Sequence, residues 1–155
     1  MSQAVLNRLD STWVYWAHSL KESDWTIKGY QSLGTFETVE EMISLHEAIP
    51  ESLMSNCMFF VMKKGIAPIW EDPANIGGGS LSYKVKSPIV PKLWEKLLFL
   101  MAGNTLASAP ENINGISVSP KRSFSIIKIW MINGKQDVVS FGKGLSAQYK
   151  RHAKS

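Results

Sequence analysis

The sequence predicts an α+β domain, a mostly antiparallel sheet with helices packed on one face. Three observations carry this. Segments with strand-like alternation or short apolar runs outnumber helical ones. The helices fall between groups of strands instead of alternating with them one by one. The length of 155 residues, with 45% hydrophobic and 19% charged residues, suits one soluble domain over 1–155. Residues 1–11 are expected to be flexible.

Thr12 to Ser19, TWVYWAHS, reads as the first strand, with Trp13, Tyr15 and Ala17 facing one way and Val14, Trp16 and His18 the other. LKESDW follows as a polar loop ending on Trp25, and Gly29 and Gly34 keep the next segment irregular. TVEEMISLHEAIP is a helix with readable ends: Thr38 and Glu41 form a T-x-x-E capping box and Pro50 stops it. Met42, Leu45, His46 and Ile49 share one face at helical spacing, with Val39 and Ile43 beside the stripe and turned outward.

CMFFVM, 57–62, reads as a buried strand closed by Lys63, Lys64 and Gly65. The segment IAPIWEDPANIGGG, 66–79, has neither a helical nor a strand period. SLSYKVK, 80–86, alternates as a strand, and Pro91 opens a second helix, PKLWEKLLFLMAG, that Gly103 suits as a stop. NTLASAPENIN is expected to be a surface loop. Segments 115–119 and 125–132 read as strands joined through Pro120, Lys121 and Arg122, and NGK at 133–135 is a turn signal. GLSAQYKRHAKS is expected to form a short helix with a basic, frayed tail.

Composition narrows the function. No apolar run approaches the roughly 18 residues of a membrane helix. The start, MSQAVLNRLDST, lacks the basic and apolar regions of a secretory leader, so none is expected. Cys57 is the only cysteine, which excludes a disulfide framework or a cysteine zinc site within one chain and points to a reducing compartment. In its apolar run it reads as a buried, inert thiol. His18, His46 and His152 make no metal spacing, and His46 on the helix stripe reads as a core residue. Gly77–Gly79 lacks the Gly-Lys-Ser/Thr of a phosphate loop and reads as a flexible turn. No carboxylate pair stands where its pKa would rise. A binding protein without metal or cofactor is expected, not an enzyme. The net charge of +4 and pI of about 9.2 allow an anionic partner without demanding one. Six tryptophans exceed what a core of this size needs, so some have a binding role.

The tryptophans have an order. W-x2-W at Trp13 and Trp16 precedes a polar loop ending in Trp25; then come FETVEEM, GIAPIWED, LWEKLLFLMAG and a strand ending IKIW at Trp130. Together these resemble the cap-binding translation initiation factor 4E family from about Trp13 to Tyr149. The resemblance implies a curved sheet with helices on its convex back and a concave slot for the 7-methylguanosine cap of messenger RNA. It implies that Trp25 and Trp70 sandwich the base, that Glu71 accepts from its N1–H and N2–H groups, and that Trp130 packs beside the methyl group. Trp13, Trp16 and Trp94 belong to the core on the same grounds. Methylation at N7 makes guanine cationic, and indole faces carry negative quadrupole density. Stacking contributes about 1–3 kcal/mol per base and the cation–π attraction about 0.5–2. Trp70 and Glu71 can serve one ligand only from an irregular loop, because a strand sends neighbours to opposite faces.

The chain departs from the family at two places. Ser80 and Leu81 stand where the family has Arg and Trp, and Ile126 where it has a phosphate-binding Lys. Lys121 aligns with another family Arg, and Lys128 shares a strand face with Trp130, so Lys121, Arg122 and Lys128 are expected to hold the cap phosphates. On the back surface, Asn7 and Arg8 replace a His-Pro pair, Ile43 a Trp, and Glu95 and Phe99 leucines, while Val39 and Glu40 remain. Val39, Glu40, Ile43, Glu95 and Phe99 thus mark the expected partner site. Losing a Trp anchor removes a hot spot, so weak or absent binding of the usual scaffold factor 4G or repressor helix, Tyr-x4-Leu-Φ, is expected. A divergent partner with matched changes fits equally. Contacts to the second nucleotide are either missing or supplied by the tail KRHAKS.

The leading expectation is a cytoplasmic, monomeric cap-binding protein in translation initiation or its regulation, with room for a nuclear fraction and no membrane contact. The alternatives are a cap-binding repressor or competitor without scaffold binding, and an interaction module that has lost cap binding. Trp25 with the Trp70–Glu71 pair speaks against the last.

Overall fold

The first strand, β1 (Arg8–Ser19), is also the longest, and its alternation sets the two faces of the sheet. Trp13 and Tyr15 go to one face, Trp16 and His18 to the other, as the residue period requires. The computed structural model describes residues 6–134, 136–140, 145 and 147–152. The other strands are β2 (Gln31–Thr38), β3 (Cys57–Lys63), β4 (Gly79–Lys86), β5 (Ile113–Pro120), β6 (Phe124–Met131) and β7 (Gln148–Arg151). They form one curved, seven-stranded sheet in the order β2-β1-β3-β5-β6-β4-β7, antiparallel throughout. The α+β expectation holds.

Helices α1 (Val39–Glu47) and α3 (Val90–Ala102) cover the main core; α2 (Pro73–Ile76) is a single turn before β4. On α3, Trp94, Leu97, Leu98 and Met101 form one buried stripe against β1 and β5. Their sheet-side neighbours are Tyr15, Phe59, Val61, Ile116, Val118, Ile127 and Ile129. Each such side chain contributes about 1.5–3 kcal/mol by leaving water. One arm of the α1 capping box forms as read, with Thr38 Oγ1 accepting from Glu41 N–H at 3.1 Å; the Glu41 carboxylate reaches past the cap residue and accepts from Glu37 N–H, also at 3.1 Å. The opposite face carries a smaller cluster, Phe60, Met62 and Trp130, with Trp16, Tyr30, Met58 and Ile66 against it.

Several expectations are corrected. β1 begins at Arg8, so residues 8–11 are strand and not a flexible start; Arg8 lies opposite Thr38. The segment after Gly29 is β2, and Gly34, at φ 150°, absorbs the register shift where β1 passes from Tyr15 to Trp16. The 104–114 segment is more than a surface loop, since Leu106 is buried and β5 already starts at Ile113. Gly78 and Gly79 are not a flexible turn. A Cβ on Gly78 would sit 1.9 Å from the Met131 carbonyl oxygen, so only glycine lets the chains pass there. At Asn133-Gly134 the chain bends, with Gly134 at φ 68°; Lys135 lies outside the described residues.

The largest correction is at the C-terminal end, where 148–151 is β7 and not a helix. It pairs with β4 from Gly79–Arg151 to Ser82–Gln148. The open edge of β4 offers unpaired N–H and C=O groups, and satisfying them outweighs local helical preference. Tyr149 then faces Leu81 and packs on the core. Of the expected helix and tail, residues 144, 146 and 153–155 lie outside the described residues.

Candidate functional site

The Trp70 segment is built by its own polar side chains. Asp72 caps α2 by accepting from Ala74 N–H at 2.8 Å, and its other oxygen accepts from Ala67 N–H at 2.9 Å. Buried Asn75 donates to the Ala67 and Ile69 carbonyls at 3.2 and 2.9 Å and accepts from Asn114 Nδ2 at 2.9 Å. The loop is irregular but fixed, and it leaves Trp70 and Glu71 on the surface.

Trp25 is fixed differently. His18, fully buried, lies against it with ring centroids 3.9 Å apart and 8° between planes. The His18 ring nitrogens each lie 2.9 Å from a backbone carbonyl, those of Ser19 and Asp24. Asp24 Oδ1 accepts from both the N–H and the hydroxyl of Thr26, at 2.8 and 2.6 Å, and these bonds hold its carboxyl below the usual range.

These two segments meet in a slot of about 290 Å³ on the face opposite the helices. Trp25, Trp70, Glu71 and Trp130 all border it, with Tyr30 and Phe60 at its base. Trp25 and Trp70 are 52% and 44% exposed, unusual for indoles, whereas Trp130 is only 6% exposed. Trp130 donates from Nε1 to Ser117 Oγ at 2.9 Å. Burial, and then the charge of Glu71, push the Tyr30 hydroxyl up to about 12, so it stays protonated.

A second cavity, about 370 Å³, adjoins the slot through Trp25, Met58, Phe60 and Trp130. Lys121 and Lys128 line it with Ser117 and Ser119, and no carboxylate borders it among the described residues. Burial first, then Lys121 and Lys150, hold the Lys128 ammonium below its usual pKa. Arg122 borders neither space; it lines a hollow with Glu51, Ser52 and Pro91 that Lys121 also borders. The structure thus brings Lys121 and Lys128 to the tryptophans and leaves Arg122 apart.

On the helical face, Ile43 and Phe99 are 38% and 39% exposed and Val39 is half-buried. Glu40 is held by Asn7, whose N–H and Nδ2 donate at 2.9 and 2.8 Å and lower its carboxyl pKa. Glu95 meets His46 Nε2 at 3.3 Å. His46 is half-buried rather than a plain core residue, and its Nδ1 lies 3.2 Å from Tyr15 Oη. Cys57, half-buried against the core, has its thiol pushed up by burial, as the inert reading requires.

The family model for eukaryotic initiation factor 4E matches residues 8–153. The chain belongs to the initiation factor 4E family. The initiation factor 4E of Eremothecium gossypii is 30% identical over 139 residues, 85% of this chain and 65% of that protein. The initiation factor NCBP of Triticum aestivum is 32% identical over 77% of this chain and 51% of its own length. The chain therefore spans between half and two thirds of these two relatives. A crystal structure of Ascaris suum eIF4E-3 with m7G cap superposes with a TM-score of 0.75 at 25% identity, covering 84% of this chain and 76% of that one. Caenorhabditis elegans eIF4E-3, in complex with the 4E-binding protein Mextli and a cap analog, superposes at 0.77 with 23% identity over the same shares. This initiation factor 4E protein also holds a His18–Trp25 stack and a Lys128–Lys150 neighbourhood that sequence reasoning missed. The first had a signal in the W-x-H alternation of β1; the second depended on recognising β7.

Proposed function

We propose that this initiation factor 4E protein binds the 7-methylguanosine cap of messenger RNA and acts in translation initiation or its control. The observation that carries the reading is the pair of half-exposed indoles, Trp25 and Trp70, bordering one slot with Glu71. The cationic base stacks between the indoles, Glu71 accepts from its N1–H and N2–H edge, and Trp130 packs beside the methyl group. Lys121 and Lys128 take the phosphates. The base contacts sum to a few kcal/mol, association costs about 4–15, and micromolar affinity needs about −8. Phosphate contacts therefore decide whether binding is useful. Family membership supports a binding role over catalysis and a place among cytoplasmic translation factors.

The helical face takes a partner helix, of a scaffold or repressor, across Val39, Ile43 and Phe99. The C. elegans neighbour complexed with a 4E-binding protein supports this. The exposed, His46-paired carboxylate of Glu95 favours a partner other than the usual apolar helix, and with it a competitor role.

The test is tryptophan fluorescence during titration with 7-methyl-GTP, with GTP as control. Quenching by the methylated nucleotide alone is expected; equal or absent responses to both would refute cap binding.

A further inference from the structure

The pairing of β7 with β4 brings a third lysine to the concave face. Trp130 on β6, Ser80 on β4 and Lys150 on β7 lie directly opposite one another across the sheet. Residues opposite one another on antiparallel strands share a face, so Lys150 points to the same side as Trp130. The next row is Lys128, Ser82 and Gln148, again in register. Two strand spacings, about 10 Å, separate the β6 and β7 backbones, a span that two lysine side chains can bridge around one anion. Ser80, between them, is small and lies buried beneath these neighbours, so the larger side chains of Trp130 and Lys150 approach each other over it.

One residue past the end of β7, His152 closes the arrangement. Its backbone N–H donates to the Gly78 carbonyl at 2.9 Å, and its ring rests on Trp130 with centroids 4.7 Å apart. Its Nε2 is buried without a partner among the described residues. None of Lys121, Lys128 and Lys150 has an ion pair among them either. Three cations and an imidazole thus gather where no carboxylate among the described residues pairs with them, an arrangement that an anion would relieve. Burial and the Lys128 charge hold His152 below its usual pKa, in keeping with that deficit.

We propose that Lys150 and His152 form, with Lys128, an anion site that holds the phosphate chain of the capped end beyond the base slot. The proposal rests on the cap-binding reading and adds to it a residue, Lys150, in place of the cation that Ser80 lacks. The anion is a phosphate, either of the cap triphosphate or of the first phosphodiester.

The test compares wild type, Lys150→Ala and Lys150→Arg in titrations with 7-methyl-GMP, 7-methyl-GTP and a short capped RNA. Lys150→Ala is expected to weaken 7-methyl-GTP or capped RNA about 5- to 10-fold and to reduce the salt slope by about one charge. Binding of 7-methyl-GMP should stay within about two-fold, and Lys150→Arg should restore the loss. A loss already present with 7-methyl-GTP assigns the triphosphate; a loss confined to capped RNA assigns the phosphodiester. Unchanged affinity for both in Lys150→Ala would overturn the proposal while leaving the base slot intact. If wild type binds no methylated nucleotide, the base-slot reading fails, and inorganic tripolyphosphate still tests the anion site. Added to wild type, it should raise the His152 pKa in an NMR titration, an effect absent in Lys150→Ala; no rise in wild type sinks the site.

Discussion

The His18 imidazole lies flat on Trp25, 3.9 Å between centroids, while its two nitrogens face the carbonyls of Ser19 and Asp24. A ring pinned at its edge can present only its face, and here that face supports an exposed indole. Either tautomer donates to one of the two carbonyls. His18 therefore positions Trp25 before a base arrives, which lowers the ordering cost of binding.

Replacing His18 by Ala removes both the platform and the loop tie. Affinity for 7-methyl-GTP should fall about 3- to 10-fold, the value of an aromatic contact. Phe at this position keeps the platform and should recover most of the loss. Fluorescence titration of the three proteins checks this, and near-ultraviolet dichroism should show Trp25 less ordered only in the Ala variant.

Glu71 offers a sharper test. Its carboxylate is exposed at the slot and raises the pKa of neighbouring Tyr30. Glu71→Gln keeps the shape but loses a charge-assisted bond worth about 1.5–3 kcal/mol. Affinity for 7-methyl-GTP should drop about 10- to 150-fold. In the free protein the same substitution should bring Tyr30 down from about 12, with burial still holding it above the ordinary value, as ultraviolet titration would show. An unmoved Tyr30 would place Glu71 elsewhere than the structure does.

Much of this was legible before the structure, and the misses have physical causes. Alternation in β1 and the Thr38 cap were visible because local chemistry decides them. The Trp25, Trp70 and Glu71 roles came from motif order, and the structure places all three at one slot. β2 was hidden by Gly34, which marks a bulge and not a break. β7 was hidden because QYKR has no strand period of its own; the edge of β4 recruits it. Arg122 shows the limit of adjacency: Lys121 borders both hollows, whereas Arg122, next to it in sequence, borders only the one away from the tryptophans.

The core carries a polar chain that stability measurements can read. Fully buried Trp94 donates from Nε1 to Tyr15 Oη at 2.7 Å, and Tyr15 faces His46. Tyr15→Phe leaves the indole N–H without a partner, which costs about 1–3 kcal/mol. For a domain of this size the melting temperature should fall by about 3–10 °C. Burial raises the folded Tyr15 pKa above its unfolded value of about 10. Its contribution is thus complete below pH 10 and is lost as the pH rises further. The Phe variant should show a shallower alkaline loss of stability than wild type.

Lys128 should trade stability for binding. Its ammonium is half-buried, unpaired among the described residues and close to two other lysines. The folded pKa is lowered, so the charged form, dominant at neutral pH, is disfavoured by folding. Lys128→Met should therefore stabilise the fold by about 0.5–1 kcal/mol while weakening 7-methyl-GTP binding. A variant less stable than wild type would mean that Lys128 already has a partner.

The helical face yields the last prediction. Ile43 and Phe99 leave an exposed apolar surface beside the His46–Glu95 pair. A Tyr-x4-Leu-Φ helix laid there would have to desolvate the Glu95 carboxylate while offering it no donor beyond His46, and burying a charge with so few partners is strongly unfavourable. Such a peptide should bind wild type only weakly. Ile43→Trp restores a large aromatic anchor and Glu95→Leu removes the charge, and hot-spot substitutions of this kind are each worth 2 kcal/mol or more. Together they should strengthen peptide binding at least about 30-fold by calorimetry, with 7-methyl-GTP affinity unchanged because the slot lies across the sheet. The two changes share one surface and should not add independently. Tight binding to wild type instead would mean that Glu95 is desolvated at little cost, and that it does not discriminate among partners.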